Sequence, residues 1–176
     1  AGWMFVAIPG LTQHGIRFAH AAIEAGATAI LTDEAGREQA VERGLGTPIV
    51  TVADPRSVVP TLCANIYSAP ASRLTTMAVT GTNGKTTTSY LMRAAIASRF
   101  PQASLCGTVE MHVGPISFEA VRTTAEAPVI ARFLAATEQY ECGAGIIELS
   151  AHALSLHRVD GVVFDVAPFT NLQHDH

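Results

Sequence analysis

The chain has 176 residues, of which 48% are hydrophobic and 15% are charged, and its formal net charge is -4. This composition is typical of a soluble globular protein larger than one average domain, with no long apolar run that predicts a membrane span. The 11 basic residues are scattered, so neither a membrane nor a nucleic-acid partner is expected.

The first seventy or so residues alternate β-rich and helical patterns. The pattern predicts strands over 3–8, 28–32 and 48–52, and helices over 15–25, 38–43 and 55–67. Asp54 is placed to cap the last helix, in which Pro60 indicates a kink or a later start. Turn residues without periodicity place a domain boundary at 68–72, so the predicted domains are 1–72 and 73–176.

The second part of the chain continues the alternation. Strands are predicted over 74–79, 104–111, 115–120, 144–149 and 162–169, and helices over 86–99, 127–140 and from about Ala151. The strands at 104–111 and 115–120 are expected to pair around Gly114. The alternation predicts an α/β fold with a mainly parallel sheet that is covered on both faces.

Three cysteines, Cys63, Cys106 and Cys142, are widely separated among apolar or small neighbours. This pattern predicts reduced, partly buried thiols and favours a cytoplasmic setting. The N-terminus has neither an initiator Met nor a basic region ahead of an apolar stretch. We therefore expect a truncated start rather than a signal peptide.

Residues 80–87 read Thr-Gly-Thr-Asn-Gly-Lys-Thr-Thr between a predicted strand and a predicted helix. A bound triphosphate needs converging backbone N–H groups, a helix N-terminus and a cation, and Gly81, Gly84 and Lys85 supply them. Thr86 is the hydroxyl placed to bind Mg²⁺, and Thr87 starts the helix. The alternative is a tight strand-to-helix turn, but this context favours a site for ATP and Mg²⁺.

The short form of this loop resembles that of the Mur ligases and the related folylpolyglutamate synthases. The resemblance implies that ATP phosphorylates a substrate carboxylate, and that an amine then attacks the acyl phosphate to form an amide. Ligation is thereby favoured over kinase or motor chemistry.

Flanking motifs narrow the resemblance to the MurE type. Segments 5–10, 21–27 and 52–56 resemble the uridine-nucleotide domain of these ligases, and segments 122–126, 148–154, 158–161 and 164–172 resemble their central domain. The resemblance implies addition of a third, diamino acid to UDP-N-acetylmuramoyl-L-alanyl-D-glutamate in peptidoglycan precursor synthesis. It leaves open whether that residue is L-lysine, meso-diaminopimelate or another diamine.

The resemblance also implies roles for particular residues. The ATP-binding residues are Gly81, Thr82, Asn83, Gly84, Lys85, Thr86 and Thr87. Leu11, Thr12 and Gln13 are expected beside the uridine nucleotide, and Thr123, Thr124, Ser150 and Arg158 beside the muramoyl-dipeptide. Lys85, Glu148 and His176 are expected to be catalytic, with Thr86, Glu148 and His176 as metal ligands.

Each assignment has a structural alternative. Glu148 could cap a helix, Arg158 could be a solvated surface charge, and His176 could be a frayed terminal residue. We interpret His152 as a packed or capping histidine rather than a catalytic one.

The chain departs from the usual family pattern at several positions, and a divergent paralogue stays open. These positions are Arg122, Ala125, Ala151, Leu156, Gln173 and His174. We expect the given sequence to lack the family's C-terminal, amino-acid-binding domain, so these 176 residues alone are not expected to ligate. The competing interpretations are a ligase of the folylpolyglutamate synthase type, which lacks a UDP-binding module, and a non-catalytic nucleotide-binding module.

Overall fold

A computed structural model describes residues 2–10 and 12–173 of the chain. The chain divides into an N-terminal unit, Ala1–Val59, and a C-terminal unit, Pro60–His176. This division falls about ten residues before the turn at 68–72, because residues 60–71 help line a cleft against the helix at 127–139. Each unit is an α/β structure with its own sheet.

The elements are numbered in chain order. The strands are β1 Trp3–Val6, β2 Ala27–Thr32, β3 Ile49–Thr51, β4 Thr75–Val79, β5 Ser104–Cys106, β6 Glu110–Val113, β7 Ile116–Glu119 and β8 Ala144–Glu148. The helices are α1 Ala19–Glu24, α2 Glu34–Glu42, α3 Pro55–Ile66, α4 Lys85–Ile96, α5 Ala127–Gln139 and α6 Ala151–Ser155, with 3-10 turns at Gly15–Phe18 and Pro70–Arg73.

The N-terminal unit has a three-stranded parallel sheet in the order β1-β2-β3. Its helices cover a small apolar core, Ala7, Ile16, Ala19, Ile30 and Ala40. The predicted helix over 15–25 forms as a 3-10 turn followed by α1. α3 begins at Pro55, without the late start considered for Pro60, and Asp54 accepts a hydrogen bond from the backbone N–H of Arg56 at 2.9 Å.

The C-terminal unit has a five-stranded sheet in the order β4-β8-β5-β6-β7. β4, β8 and β5 are parallel, whereas β6 and β7 add an antiparallel hairpin at one edge. α5 packs Ile130, Phe133 and Leu134 on this sheet, and α4 lies against β4, β5 and β8. The predicted α/β class is confirmed, with a mixed sheet in this unit.

The single strand predicted over 104–111 is wrong. The chain forms β5, breaks at residues 107–109 and resumes as β6, which pairs with β7 around Gly114. The break accommodates Gly107, which lies against the side chain of Glu148. A Cβ on Gly107 would overlap Glu148 Oε1 and lie 2.8 Å from its Cδ.

Residues 162–169 also do not form a regular strand. They run beside β4 and make isolated parallel bridges, Met77 with Val166 and Thr80 with Phe169. Regular pairing fails because the N–H of Thr76 donates to the Asp165 side chain at 2.8 Å, and because Pro168 has no N–H to donate.

All three cysteines are free and buried, as predicted. Burial raises the pKa of the Cys106 thiol to about 12, so this thiol is a neutral core group. None of the helices in residues 2–10 and 12–173 has the length and apolar character needed to cross a bilayer.

The side chain of Ile146 in β8 is fully buried, so shortening it is expected to lower the stability of the fold strongly. Ile146→Ala is expected to lower the free energy of unfolding by about 2–5 kcal/mol, because it leaves a cavity. Ile66→Ala is the matched control, since Ile66 is 63% exposed, and its effect is expected to stay within about 0.5 kcal/mol. Denaturant unfolding followed by circular dichroism measures both, and equal losses would contradict this core assignment.

Candidate nucleotide-phosphate site

The glycine loop joins the end of β4 to the start of α4. β4 ends at Val79 and α4 begins at Lys85, one residue earlier than predicted. Gly84 precedes the helix with a φ of 84°, a left-handed conformation that glycine adopts without strain. The backbone N–H groups of the first helical turn lack intrahelical acceptors, so this end of α4 can bind an anion.

Lys85 is the only lysine in the chain. Its ammonium donates to the carbonyl oxygens of Gly81 at 2.7 Å and Thr82 at 2.9 Å. These two bonds fold the side chain back over the loop, where its charge is available to a phosphate.

Glu148 ends β8 as predicted, and its side chain is fully buried. Its Oε2 accepts hydrogen bonds from the Thr86 hydroxyl at 3.0 Å and the Thr108 hydroxyl at 2.8 Å, with the Thr108 N–H at 3.3 Å. Its Oε1 accepts from the Ser89 hydroxyl at 2.8 Å. No arginine, lysine or histidine among residues 2–10 and 12–173 forms an ion pair with it.

A buried carboxylate without a compensating cation is costly, and hydroxyl donors only partly offset that cost. The oxygens of Glu148 and Thr86 are the hard ligands that Mg²⁺ prefers. Within the described part of the chain no cluster of three or more His, Cys, Asp or Glu offers another ligand set. The donor set at Glu148 therefore fits a divalent cation, while the predicted ligand His176 lies outside the described residues.

Thr123 joins this site through a chain of hydroxyls. Because Thr108 donates its proton to Glu148, the 3.1 Å bond between Thr108 and Thr123 has Thr123 as donor. Thr124 is buried instead, and its hydroxyl donates to the backbone carbonyl of Glu148 at 2.8 Å. The two threonines thus tie the segment before α5 to the end of β8.

Ser150 and Arg158 lie next to the same segment. The Ser150 N–H donates to Thr124 Oγ1 at 2.9 Å, and its hydroxyl caps α6 by accepting from the Ala153 N–H at 3.1 Å. Arg158 is only 7% exposed, so the surface-charge alternative is wrong. Its guanidinium donates to the Thr124 carbonyl at 3.0 Å and pairs with Glu126 at 2.9 Å, while its buried Nε has no partner in the described structure.

His152 is exposed in α6, so the expectation of a packed histidine is wrong. α6 turns the buried Ala153 toward the interior instead. The C-cap of this short helix is Leu156 rather than a histidine.

In the N-terminal unit, Thr12 and Gln13 are exposed, and Leu11 lies outside the described residues. A hydrogen bond from the Gly10 N–H to the Gln13 carbonyl, at 3.1 Å, closes the turn in which Thr12 and Gln13 lie. His14 follows this turn and is held by two hydrogen bonds. Its Nδ1 accepts from the Ile16 N–H at 3.1 Å, and its Nε2 therefore donates to Asp33 at 3.0 Å. Asp33 also caps α2 by accepting from the Gly36 N–H at 2.8 Å.

Several residues of the site were not predicted individually. Ser89 had a usable signal, because it follows Thr86 by three residues and so shares its helix face. No sequence signal pointed to Gly107 and Thr108, because only the pairing of β5 with β8 brings these residues to Glu148. Asn171 lies in the segment 164–172, which resembles the central domain of the Mur ligases, but its contact with the glycine loop depends on tertiary structure.

The C-terminal unit is an α/β domain in which a glycine loop joins a buried strand to a helix. The chain belongs to the Mur ligase family: residues 79–176 match the Mur ligase middle domain.

Known relatives extend the similarity over both units. A UDP-N-acetylmuramoyl-L-alanyl-D-glutamate–2,6-diaminopimelate ligase of Streptomyces coelicolor is 42% identical over 99% of this chain and 34% of its own length. A UDP-N-acetylmuramyl-tripeptide synthetase of Leifsonia xyli is 44% identical with the same coverage. The solved structure of a UDP-N-acetylmuramoyl-L-alanyl-D-glutamate–2,6-diaminopimelate ligase superposes with a TM-score of 0.76 at 26% identity, over 100% of this chain and 35% of that one.

The predicted MurE-type similarity is therefore confirmed. The chain spans about a third of the length of these relatives.

The close approach of Gly107 to Glu148 predicts that Gly107→Ala displaces the carboxylate. We expect a loss of about 1–3 kcal/mol in the free energy of unfolding, because the added methyl group overpacks a buried site. Gly46→Ala is the control, since a Cβ there meets nothing within 4 Å. Thermal and denaturant unfolding measure the difference, and a neutral Gly107→Ala would contradict the packing described here.

Proposed function

We propose that the chain binds ATP with Mg²⁺ at residues 81–87 and forms the nucleotide site of a MurE-type ligase. The observation that carries this proposal is the buried Glu148 carboxylate, which pairs with no cationic side chain among the described residues and is hydrogen-bonded to Thr86 of the loop. A Mg²⁺ ion held by Thr86 and Glu148 would neutralise charge on the terminal phosphates of ATP. His176 is proposed as a further metal ligand on the strength of the resemblance.

The loop residues bind and orient the triphosphate in this proposal. Backbone N–H groups at Gly84, Lys85 and Thr86 have no acceptor among the described residues, so they are available to phosphate oxygens. The Lys85 ammonium adds a charge-assisted bond to the terminal phosphates. Gly81, Thr82, Asn83 and Thr87 complete the loop around them.

For the whole ligase we propose amide formation on UDP-N-acetylmuramoyl-L-alanyl-D-glutamate. A substrate carboxylate oxygen attacks the γ-phosphorus of ATP, which releases ADP and gives an acyl phosphate. The amine of a diamino acid then displaces phosphate and loses a proton, and an amide is formed. Lys85 would serve the first step by holding the phosphates in place, and Glu148 by holding the Mg²⁺ that neutralises them.

We further propose that Thr123, Thr124, Ser150 and Arg158 hold the muramoyl-dipeptide. Hydroxyls can hydrogen-bond polar substrate groups without adding charge, and the Arg158 guanidinium places a positive charge beside them. Leu11, Thr12 and Gln13 are proposed for the uridine nucleotide, since Thr12 and Gln13 are exposed. Relatives that match 99% of the chain carry muramoyl-ligase names, which supports this substrate over a folate.

The single lysine gives a direct test of ATP binding. Acetylation of Lys85, read by mass spectrometry, is expected to slow at least tenfold when ATP and Mg²⁺ are added, because the ammonium contacts phosphate. Free lysine added to the same reaction is the control and is expected to react at an unchanged rate. Equal acetylation of Lys85 with and without ATP would count against the nucleotide site.

Glu148→Gln tests the metal part of the proposal separately. The amide keeps the size of the side chain but removes the charge, so Mg²⁺ should no longer strengthen ATP binding. Isothermal titration with and without Mg²⁺ measures this, with Glu141→Gln on an exposed turn as control. An unchanged Mg²⁺ dependence in Glu148→Gln would remove Glu148 as a ligand.

Titration with UDP-N-acetylmuramoyl-L-alanyl-D-glutamate tests the substrate assignment. The wild-type chain is expected to bind it, and Thr123→Val to bind about three- to tenfold more weakly, because one hydroxyl group that can hydrogen-bond the substrate is lost. Thr61→Val on the exposed side of α3 is the control. ATP binding without any binding of this substrate would favour a nucleotide-binding module instead.

A further inference from the structure

The segment Thr170–Gln173 lies along the glycine loop and is hydrogen-bonded to it. The Thr82 N–H donates to the Asn171 carbonyl at 3.0 Å, and the Thr170 hydroxyl donates to the Asn83 carbonyl at 2.6 Å. The Gln173 N–H donates to the Thr82 hydroxyl at 3.0 Å. We call this segment the loop brace.

The side chain of Asn171 makes the most specific contact of the loop brace. Its Oδ1 accepts from the Asn83 N–H at 3.1 Å, and its Nδ2 donates to the Asn83 carbonyl at 3.0 Å. One carboxamide therefore satisfies both backbone groups of the central loop residue. A pair of bonds in one plane fixes the orientation of that residue more strongly than a single bond.

Gly81 lets the loop brace approach this closely. A Cβ on Gly81 would overlap the Thr170 hydroxyl and lie 2.9 Å from the Asn171 carbonyl oxygen, and Gly81 has a φ of 131°. The glycine thus has a packing role toward the loop brace in addition to its proposed place beside a phosphate.

The bonds of the loop brace divide the backbone groups of the loop into two sets. The N–H groups of Thr82 and Asn83 are committed to Asn171. Those of Gly81, Gly84, Lys85, Thr86 and Thr87 have no acceptor in the described part of the chain. A phosphate arriving at the loop therefore meets only the second set as free donors.

We propose that Asn171 is a positioning residue for the phosphate loop. It holds Asn83 so that the chain enters α4 through the left-handed Gly84 and leaves the next N–H groups free for phosphate. Asn171 itself touches no phosphate in this arrangement. The inference rests on the proposed nucleotide site, but the contact between Asn171 and Asn83 can be tested without a nucleotide.

The ligand-free test is hydrogen exchange of the loop amides, measured by NMR. The Asn83 N–H is expected to exchange at least tenfold faster in Asn171→Ala than in the wild-type chain, because its acceptor is removed. Asn65→Ala is the matched control, since Asn65 is exposed on α3, and it should leave this exchange unchanged. An Asn83 amide that exchanges equally in the wild type and in Asn171→Ala overturns the proposal.

The nucleotide test compares ATP affinity in the same variants by titration with Mg²⁺ present. Asn171→Ala is expected to bind ATP about tenfold more weakly than the wild type, because two hydrogen bonds that order the loop are lost. Unchanged ATP affinity in a folded Asn171→Ala overturns the positioning role. If the wild type binds no ATP, the nucleotide proposal fails, and the amide exchange alone decides whether Asn171 holds the loop.

Asn171→Asp supplies a pH signature that simple loss of stability would not produce. A carboxylate cannot donate to the Asn83 carbonyl, whereas a protonated carboxyl restores both bonds. An aspartate has an ordinary pKa of about 3.9, so its protonated fraction becomes substantial as the pH falls from about 6 to about 4. The ratio of wild-type to Asn171→Asp affinity should therefore shrink over this range, and a constant ratio overturns the bidentate contact.

Discussion

The carboxylate of Glu148 lies fully buried at the end of β8, and its two oxygens accept hydrogen bonds from three hydroxyls on two separate segments. A buried negative charge must be hydrogen-bonded and paired, or it destabilises the fold. Thr86 and Ser89 on α4 and Thr108 after β5 supply the hydrogen bonds, and the proposed Mg²⁺ would supply the pairing charge. The break in the strand at Gly107 follows from the same demand for space beside the carboxylate.

Around this carboxylate the C-terminal unit brings together two sets of residues that serve different proposed partners. Thr86 and Lys85 belong to the proposed ATP loop, and Thr123, Ser150 and Arg158 to the proposed dipeptide site. Hydrogen bonds from Thr123 to Thr108, and from Thr108 to Glu148, connect the two sets. Such a connection suits a reaction in which a substrate carboxylate must meet the γ-phosphate of ATP.

The glycine loop is supported from the other side by the loop brace. Backbone hydrogen bonds hold the chain beside β4 as far as Thr170, and the Asn171 carboxamide then hydrogen-bonds Asn83. The loop is therefore ordered by tertiary contacts as well as by its glycines. A loop whose donors are arranged before binding loses less entropy when a phosphate arrives.

Sequence alone predicted the α/β class, most of the helices and the position of the glycine loop, because these depend on local periodicity and on glycine chemistry. It also placed Glu148 at the end of a buried strand, and the resemblance to the Mur ligases was confirmed. Tertiary structure decided what periodicity cannot encode. It broke the strand at Gly107, replaced the strand at 162–169 with isolated bridges, exposed His152 and paired the buried Arg158 with Glu126. The break at Gly107, the bridges beside β4 and the Arg158–Glu126 pair depend on side chains far apart in the sequence, which only the folded chain brings together.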